Sequence, residues 1–474
     1  MLFASLPFLF GFLPATVLGT FVAYRSLGRQ AALIFLSAAS LVFYGWHYPP
    51  YIVLLVATIG VNFLLARRIH ARPDKWLTGI GVALNLGLLA WFKYAGFLAE
   101  MVSTILGSHI GVGTILLPLG ISFFTFQQIA YLVDIHQRKA EPGKLVEYVF
   151  FVTFFPQLIA GPIVHHRELI PQLGQSNFAR FLTRDVTMGA LLFCIGLGKK
   201  VLLADNLRMG ADTLFYAQSL GIEPTMAEAW LGMLSYTFQI YFDFSGYADM
   251  ALGLGLIFGL RLPENFRSPY KSYDIIDFWR RWNITLSIFL RDYIYLPLGG
   301  NRKGPVRRYA NLWIVMLLGG LWHGAGWQFI VWGALHGFYL TVNHIWRRFS
   351  PYRLPPAFSL VLTFTCVVIA WVFFRAEDFP QAFAILSAML GVGSNTAFEL
   401  AIFADVAWVA VFALSGAFLA WFTPNAVQIV TRFKDWRPAA ISHQALYGAV
   451  GALGAVAVFK TYASGSYAFI YFQF

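Results

Sequence analysis

Apolar runs of bilayer length follow one another along nearly the whole chain, and most of the charged residues sit in the gaps between them. A hydrocarbon core about 30 Å thick takes roughly 20 helical residues to cross. No water is present there to satisfy backbone N–H and C=O groups, so only helices or closed barrels can span it. Twelve segments fit the helical option: residues 2–23, 31–46, 50–66, 76–98, 111–133, 146–164, 186–203, 229–260, 312–346, 360–374, 406–422 and 446–462. Charged residues make up 12% of the 474, and the mean hydropathy is +0.65. Soluble domains carry roughly 25% charged residues. These values exclude a disordered chain, a collagen-like chain, a disulfide scaffold and an ordinary cytosolic enzyme. The fold class expected is an all-α polytopic integral membrane protein with about 11–12 transmembrane or re-entrant helices. The N-terminal run has no basic region before it and no clear cleavage site, so it is expected to be a first span rather than a removed signal peptide.

Lys and Arg number 34 against 22 Asp and Glu, a net charge of +12. The basic residues fall in alternate gaps: Arg25 and Arg29, then Arg67, Arg68, Arg72 and Lys75, then Arg138, Lys139 and Lys144. The gaps 47–50 and 100–110 hold no Lys or Arg. The positive-inside rule makes the basic loops cytoplasmic and the N-terminus external. No single basic face survives between so many apolar runs, which excludes a nucleic-acid partner. The alternation breaks after 146–164, because Arg167, Arg180 and Arg184 follow on what should be the other side. The segment FFPQLIAGPIV (154–164) holds two prolines and a glycine, and a re-entrant path through it restores the parity. Non-helical backbone at that depth must be buried in protein. Further on, Arg347, Arg348 and Arg353 and then Arg432, Lys434 and Arg437 are expected inside, joined by the hairpin 360–374 and 406–422. Residues 380–403 are then outside on the membrane surface, as is the tail 463–474. No internal repeat is visible, which counts against a secondary transporter.

Residues 262–308 are the most polar stretch. Ile275, Phe278, Trp282, Leu286 and Phe289 form one stripe at helical spacing, with Arg280, Arg281 and Arg291 elsewhere around it. This predicts a helix over 274–292, either lying in the interface or walling a cavity open to the cytoplasm. The next apolar segment holds His323 and His336. An ionisable group inside a span is costly and marks a candidate site, and imidazole, with a pKa of about 6.5, can serve as a general base. The two are 13 residues apart, far from each other around one unbroken helix at about 100° per residue. Either the helix breaks near Gly324 and Gly326, or the histidines serve different environments. His344, beside Arg347 and Arg348, is expected at the interface.

Asp243 and Asp249 are acids inside another apolar run. They form a hydrogen-bonded structural pair, or they orient a histidine or line a cavity. His47, His70, His109, His136, His165, His166 and His443 fall in or near predicted loops, with His165–His166 expected in a solvated one. No zincin spacing occurs, so no metal is expected. There is no GxSxG elbow, no phosphate-binding P-loop and no GxGxxG after a strand. Gly253 and Gly255 read as close-packing positions, and Cys194 and Cys366 as small core residues.

Several ordered motifs are recognisable: LPLGISFFTFQQIAYLVD (117–134), FFPQLIAGPI (154–163), QIYFDFSGYADMALG (239–253), RLPENFRSPY (261–270), FWRRWNITLSIFLRDYIYLPLGGNRKG (278–304), LWHGAGWQFIVWGALHG (321–337) and the terminal YFQF. With them the chain resembles the membrane-bound O-acyltransferase family, most closely its bacterial branch. The resemblance implies a single domain over 1–474, motif-rich at about 117–344, with helices around a central tunnel. It implies transfer of an acyl group from a thioester to a hydroxyl, with the essential histidine of the WHG motif at His323. It further implies cytosolic acetyl-CoA as donor and no bound cofactor. The acetyl group is expected to reach an exported polysaccharide such as alginate through periplasmic acetyl-transfer and modification proteins. The setting is the cell inner membrane, in contact with lipid, with both termini outside.

One departure stands out. The bacterial branch usually has His where this chain has Asn283, 40 residues before His323. Asn283 cannot be a base, but it can orient a substrate or donate to a developing oxyanion. The candidate catalytic residues are therefore His323, Asn283 and His336, and the candidate substrate contacts are Trp282, Arg280, Arg281, Arg291 and Asp243. Arg302 and Lys303 join the arginines as contacts for CoA phosphates or serve as positive-inside anchors. Rival cargoes are D-alanine for teichoic acid and acetyl for peptidoglycan or cellulose. Rival classes are a transporter and a scaffold without covalent chemistry.

Overall fold

Backbone groups that meet no water must bond to one another, and the apolar runs accordingly coil into helices. A computed structural model describes residues 1–108, 111–113, 115–174, 177–392, 400–432, 441–465 and 467–470, with the side chains of 441 and 442 excepted. Among these residues there is no strand. His109, Lys434, Arg437, residues 393–399 and the YFQF end lie outside the described residues. Six helices among the described residues are long and apolar enough to cross a bilayer: Pro7–Leu27, Pro50–Ala71, Lys75–Leu106, Thr183–Ser219, Pro356–Arg375 and His443–Ser464. The pair Val406–Phe422 and Ala426–Arg432, bent by 51°, makes a seventh if it is counted as one span. Large apolar side chains such as Leu18, Leu64, Leu414 and Phe418 are exposed on these helices, as contact with lipid requires. The chain is an all-α membrane protein. It divides into two compact units.

The first unit takes Met1–Gly196, Tyr247–Glu264 and Val430–Ala468. An amide network ties four of its helices. Asn62 of Pro50–Ala71 donates to Asn85 Oδ1 of Lys75–Leu106 at 3.2 Å and to Gln128 Oε1 of Ile121–His136 at 2.9 Å. Tyr148 of Leu145–Thr153 donates to the same Gln128 oxygen at 3.3 Å. Such bonds act as glue between helices that have no hydrophobic drive to associate within lipid. The expected span 111–133 is shorter, because helix begins only at Ile121. Gly120 precedes it at φ 72°, and a Cβ there would lie 2.8 Å from the Leu158 carbonyl oxygen.

The segment expected to be re-entrant is broken and internal. Helix Leu145–Thr153 stops at Phe154, a single turn Phe155–Leu158 follows, and Phe154, Phe155, Leu158, Ile159, Ala160, Ile163 and Val164 are all buried. The Phe155 N–H finds Ser40 Oγ at 3.1 Å, so its irregular backbone is partly satisfied by a side chain of this unit. One expectation fails here. His165 and His166 are buried rather than solvated, and the His166 ring lies 4.7 Å from Tyr131 and 5.3 Å from Phe151. The apolar surroundings of the broken segment cover them. Gly253 is the close-packing position expected: a Cβ there would strike the Gly189 carbonyl, and one on Gly189 would lie 2.5 Å from the Gly253 oxygen.

The second unit takes Leu197–Gly246, Asn265–Ile429 and the chain from Phe469. Two expectations are corrected in it. The predicted helix over 274–292 is three pieces, Ile275–Trp279, Ile284–Leu290 and a π-helical turn Arg291–Tyr295. It breaks at Asn283, whose φ is 43°. The stripe survives the break, since Ile275, Phe278, Trp282, Leu286 and Phe289 are all buried. The run 312–346 is two helices, Gly304–His323 and Trp327–Phe349, and not one span. Part of the expected surface segment 380–403 is a helix, Phe379–Met389, capped by Asp378. At the other end of the chain, Phe469 and Ile470 are buried against the protein. Phe469 packs 5.4 Å from Phe244, and the Ile470 N–H donates to Asp243 Oδ2 at 2.7 Å.

Candidate active site

The break near Gly324 and Gly326 decides where the two histidines go. Helix Gly304–His323 ends on His323, a three-residue link follows in which Gly324 and Gly326 are extended, and Trp327–Phe349 runs back antiparallel against it. The two backbones approach closely at Gly320 and Gly333. A Cβ on Gly320 would strike the Phe329 carbonyl, and one on Gly333 the Met316 carbonyl. Further along, Trp313 Nε1 donates to Thr341 Oγ1 at 3.2 Å, and Arg308 reaches His344 at 2.9 Å. That places His344 at the polar end of the hairpin, as the charge pattern indicated.

Folding back brings both histidines onto one indole. The Trp332 ring lies 5.0 Å from His323 and 4.7 Å from His336, both edge-on. Trp371, from helix Pro356–Arg375, stacks on Trp332 at 5.8 Å and meets Trp282 at 5.1 Å. Phe374 closes the box 5.1 Å from His323. Trp282, Trp332, Trp371 and His336 are at most 1% exposed, and His323 is 3% exposed. The site is dry, which strengthens every polar interaction made inside it.

His336 has a definite orientation. Trp279 Nε1, which can only donate, gives its proton to His336 Nδ1 at 3.3 Å. A neutral ring then carries its own proton on Nε2. Asn283 follows Trp282 directly and is 2% exposed. Its left-handed backbone is held from both sides: the Ile284 N–H donates to the Asn265 carbonyl at 3.0 Å, and Asn265 Oδ1 takes the Thr285 N–H at 3.1 Å and its hydroxyl at 2.9 Å. Asn and Asp tolerate this conformation better than other non-glycine residues.

The remaining candidates are elsewhere in the unit. Arg281 pairs with Asp277 at 2.9 Å and Arg291 with Asp292 at 2.7 Å, while Arg280 is exposed. Lys271 donates to the Thr423 carbonyl at 2.6 Å, and burial together with the Arg281 charge lowers its pKa. Asp243 belongs to another cluster: Lys200 Nζ lies 2.8 Å from it and 2.7 Å from Asp205. Asp243 and Asp249, six residues apart on helix Met226–Ile257, are about 120° apart around it at 100° per residue. They therefore point to different sides and do not make the structural pair considered from sequence. Trp332, Trp371 and Asn265 were not singled out from sequence. Trp332 had a usable signal, because it lies near the middle of the apolar run 312–346 and not at its ends, away from the interfacial belt.

The hairpin crossing is directly testable. Gly320→Ala adds one methyl against the Phe329 carbonyl. Alanine's better helix propensity, worth about 1 kcal/mol, works against an overpacking cost of about 1–3 kcal/mol. The expected net result is a lower melting temperature of the purified protein in detergent. An unchanged melting curve would show that the crossing has slack.

Comparison with known proteins gives concordant matches. Residues 137–376 match the model of MBOAT, the membrane-bound O-acyltransferase family. Over 429 residues the chain is 43% identical to the peptidoglycan O-acetyltransferase of Helicobacter pylori, covering 83% of this chain and 80% of that protein. Over 411 residues it is 42% identical to the protein named "Probable alginate O-acetylase AlgI" of Azotobacter vinelandii, covering 84% and 80%. Over 280 residues it is 26% identical to the teichoic acid D-alanyltransferase of Bacillus subtilis, covering 55% and 69%.

Proposed function

The chain belongs to the membrane-bound O-acyltransferase family and is an acyltransferase, and on that premise we propose that it carries acetyl groups from cytosolic acetyl-CoA toward hydroxyls of an exported polysaccharide. The setting is the inner membrane with both termini outside, and periplasmic modification proteins receive the acetyl group. The observation that supports this most is His323, a histidine buried among aromatic rings at the end of a helix inside a membrane protein. Its imidazole takes the proton of the acceptor hydroxyl as that oxygen attacks the thioester carbonyl. A C–O bond forms and the C–S bond breaks. The proton passes to the departing thiolate, which leaves as CoA thiol, and the imidazole is restored. Asn283 donates its amide N–H to the oxyanion that develops between these events.

Arg280, Arg281 and Arg291, with Arg302 and Lys303, receive the CoA phosphates by charge-assisted bonds. Asp243 is assigned no substrate contact, since Lys200 and the Ile470 amide engage it.

A second acceptor is favoured by the 43% identity to a peptidoglycan O-acetyltransferase. One experiment separates the two. Ester-bound acetate is measured in the exported polysaccharide and in purified peptidoglycan, with the gene present and deleted. Loss from the exported polysaccharide alone is expected. Loss from peptidoglycan alone selects the second acceptor, and no loss from either removes the acetyltransferase function.

A further inference from the structure

The first unit contains a cleft of about 270 Å³ lined by Gln172, Asn177, Asp185, Leu256, Gly259 and Arg261. It carries one charge of each sign, and the two do not pair. Among the described residues no ion pair or side-chain hydrogen bond reaches the Asp185 carboxylate or the Arg261 guanidinium. The backbone beneath them is fixed. Gln172 Nε2 donates to the Arg261 carbonyl at 3.0 Å, and Gln172 Oε1 accepts the Arg261 N–H at 2.8 Å. The Ala179 N–H donates to the Phe258 carbonyl at 3.0 Å, and a Cβ on Gly259, at φ 77°, would strike the Asn177 carbonyl. Asp185 stands in the first turn of helix Thr183–Gly198. A frame that holds a cation and an anion in one cleft without pairing them is complementary to a ligand that carries both charges. The cleft also lies at the ends of two spans. Thr183 begins the apolar stretch Thr183–Ser219, and Phe181 packs 6.0 Å from Phe21 near the end of Pro7–Leu27. Lipid headgroups sit at that level, and the apolar Leu182 is exposed beside it.

We propose that this cleft binds the headgroup of a phosphatidylethanolamine, with Arg261 on the phosphodiester and Asp185 on the primary ammonium. The site is independent of the transfer chemistry. A guanidinium forks onto two phosphate oxygens, and a primary ammonium brings three N–H donors to a carboxylate. A choline headgroup has no N–H to give, and a glycerol headgroup has no cation. Asp185 therefore favours one phospholipid class over the other two. Arg180 and Arg184, exposed on the same loop, attract anionic lipids in general; alone they would rank phosphatidylglycerol first. Leu182 and Leu256 supply apolar surface for the glycerol and upper chain carbons, which a soluble phosphoethanolamine lacks.

The full-length chain, purified in maltoside detergent, is titrated with dioleoyl phosphatidylethanolamine, phosphatidylcholine or phosphatidylglycerol, and retained lipid is counted by native mass spectrometry. Phosphatidylethanolamine should bind about tenfold more tightly than either of the others, the worth of one charge-assisted hydrogen bond. Asp185→Asn should bring it down to the level of phosphatidylcholine and leave phosphatidylcholine unchanged. Arg261→Gln should weaken all three by a similar factor, about tenfold, and keep their order. Water-soluble glycerophosphoethanolamine at the same concentration should displace little of the bound lipid. Equal binding of the three lipids by the unaltered protein overturns the proposal, as does a preference for phosphatidylglycerol, which ordinary basic anchoring would give. A preference that survives Asp185→Asn places the lipid elsewhere and overturns it too. Competition by glycerophosphoethanolamine on equal terms would make the ligand a free phosphoethanolamine and overturn the lipid assignment. The order of the three lipids needs only the unaltered protein, so it decides the matter even if a variant misfolds.

Discussion

Replacing His323 with alanine should lower acyl transfer about 10³-fold while leaving the protein inserted in the membrane. General-base assistance is worth about 10²–10⁴ in rate, and in a box this dry no water can replace the lost base. The residue stands at the end of its helix, so the substitution interrupts no helical ladder. His323 touches Trp322, Trp332 and Phe374, and truncating the ring removes packing from one side of the box without leaving a buried charge. The measurement is ester-bound acetate in cells carrying His323→Ala, with the membrane level of the protein followed alongside. Acetylation at the normal level would make His323 structural.

Removing Lys200 should do the greatest damage outside that box. Its ammonium lies between Asp205 at 2.7 Å and Asp243 at 2.8 Å, and all three side chains are under 10% exposed. One cation already serves two carboxylates. Lys200→Met leaves both without it, and breaking a buried pair from one side costs about 3–5 kcal/mol. The loss should spread to the chain end, because Asp243 Oδ2 also holds the Ile470 N–H. The expected results are a markedly lower melting temperature in detergent and faster protease clipping near residue 470. The triple variant Lys200→Met, Asp205→Asn, Asp243→Asn removes the charges together and should recover much of the stability, since amides can still hydrogen-bond. If the single variant melts like the unaltered protein, the cluster carries no such weight.

Much of the architecture was legible along the chain. Helices stand on or close to nearly all the apolar runs, and the proline- and glycine-bearing segment 154–164 is broken and buried as its composition required. His323 was marked by its chemistry alone, as an imidazole within an apolar run. The misjudged parts were those where a local pattern had two spatial outcomes. The stripe from Ile275 to Phe289 was visible, but it fits an unbroken helix as well as one interrupted at Asn283. His165 and His166 resembled a polar loop because nothing adjacent to them in sequence reports that they are buried, or that Tyr131 packs on His166.

Hydropathy and residue spacing are properties of neighbours in the chain, so the sequence by itself determined the membrane setting, the all-α class and the family, and it marked His323 as a candidate. Which side chains meet across long separations was decided only by the tertiary structure. The close crossing at Gly320 and Gly333 turns the hairpin so that His323 and His336 share Trp332, although 13 residues along one helix would have parted them. Trp371 reaches the same box from a separate helix. Lys200 engages Asp243, which sequence spacing had offered to a histidine. In a medium of low dielectric a charge or a donor is costly until it finds a complement. That complement is selected by packing among distant segments, which no local pattern encodes.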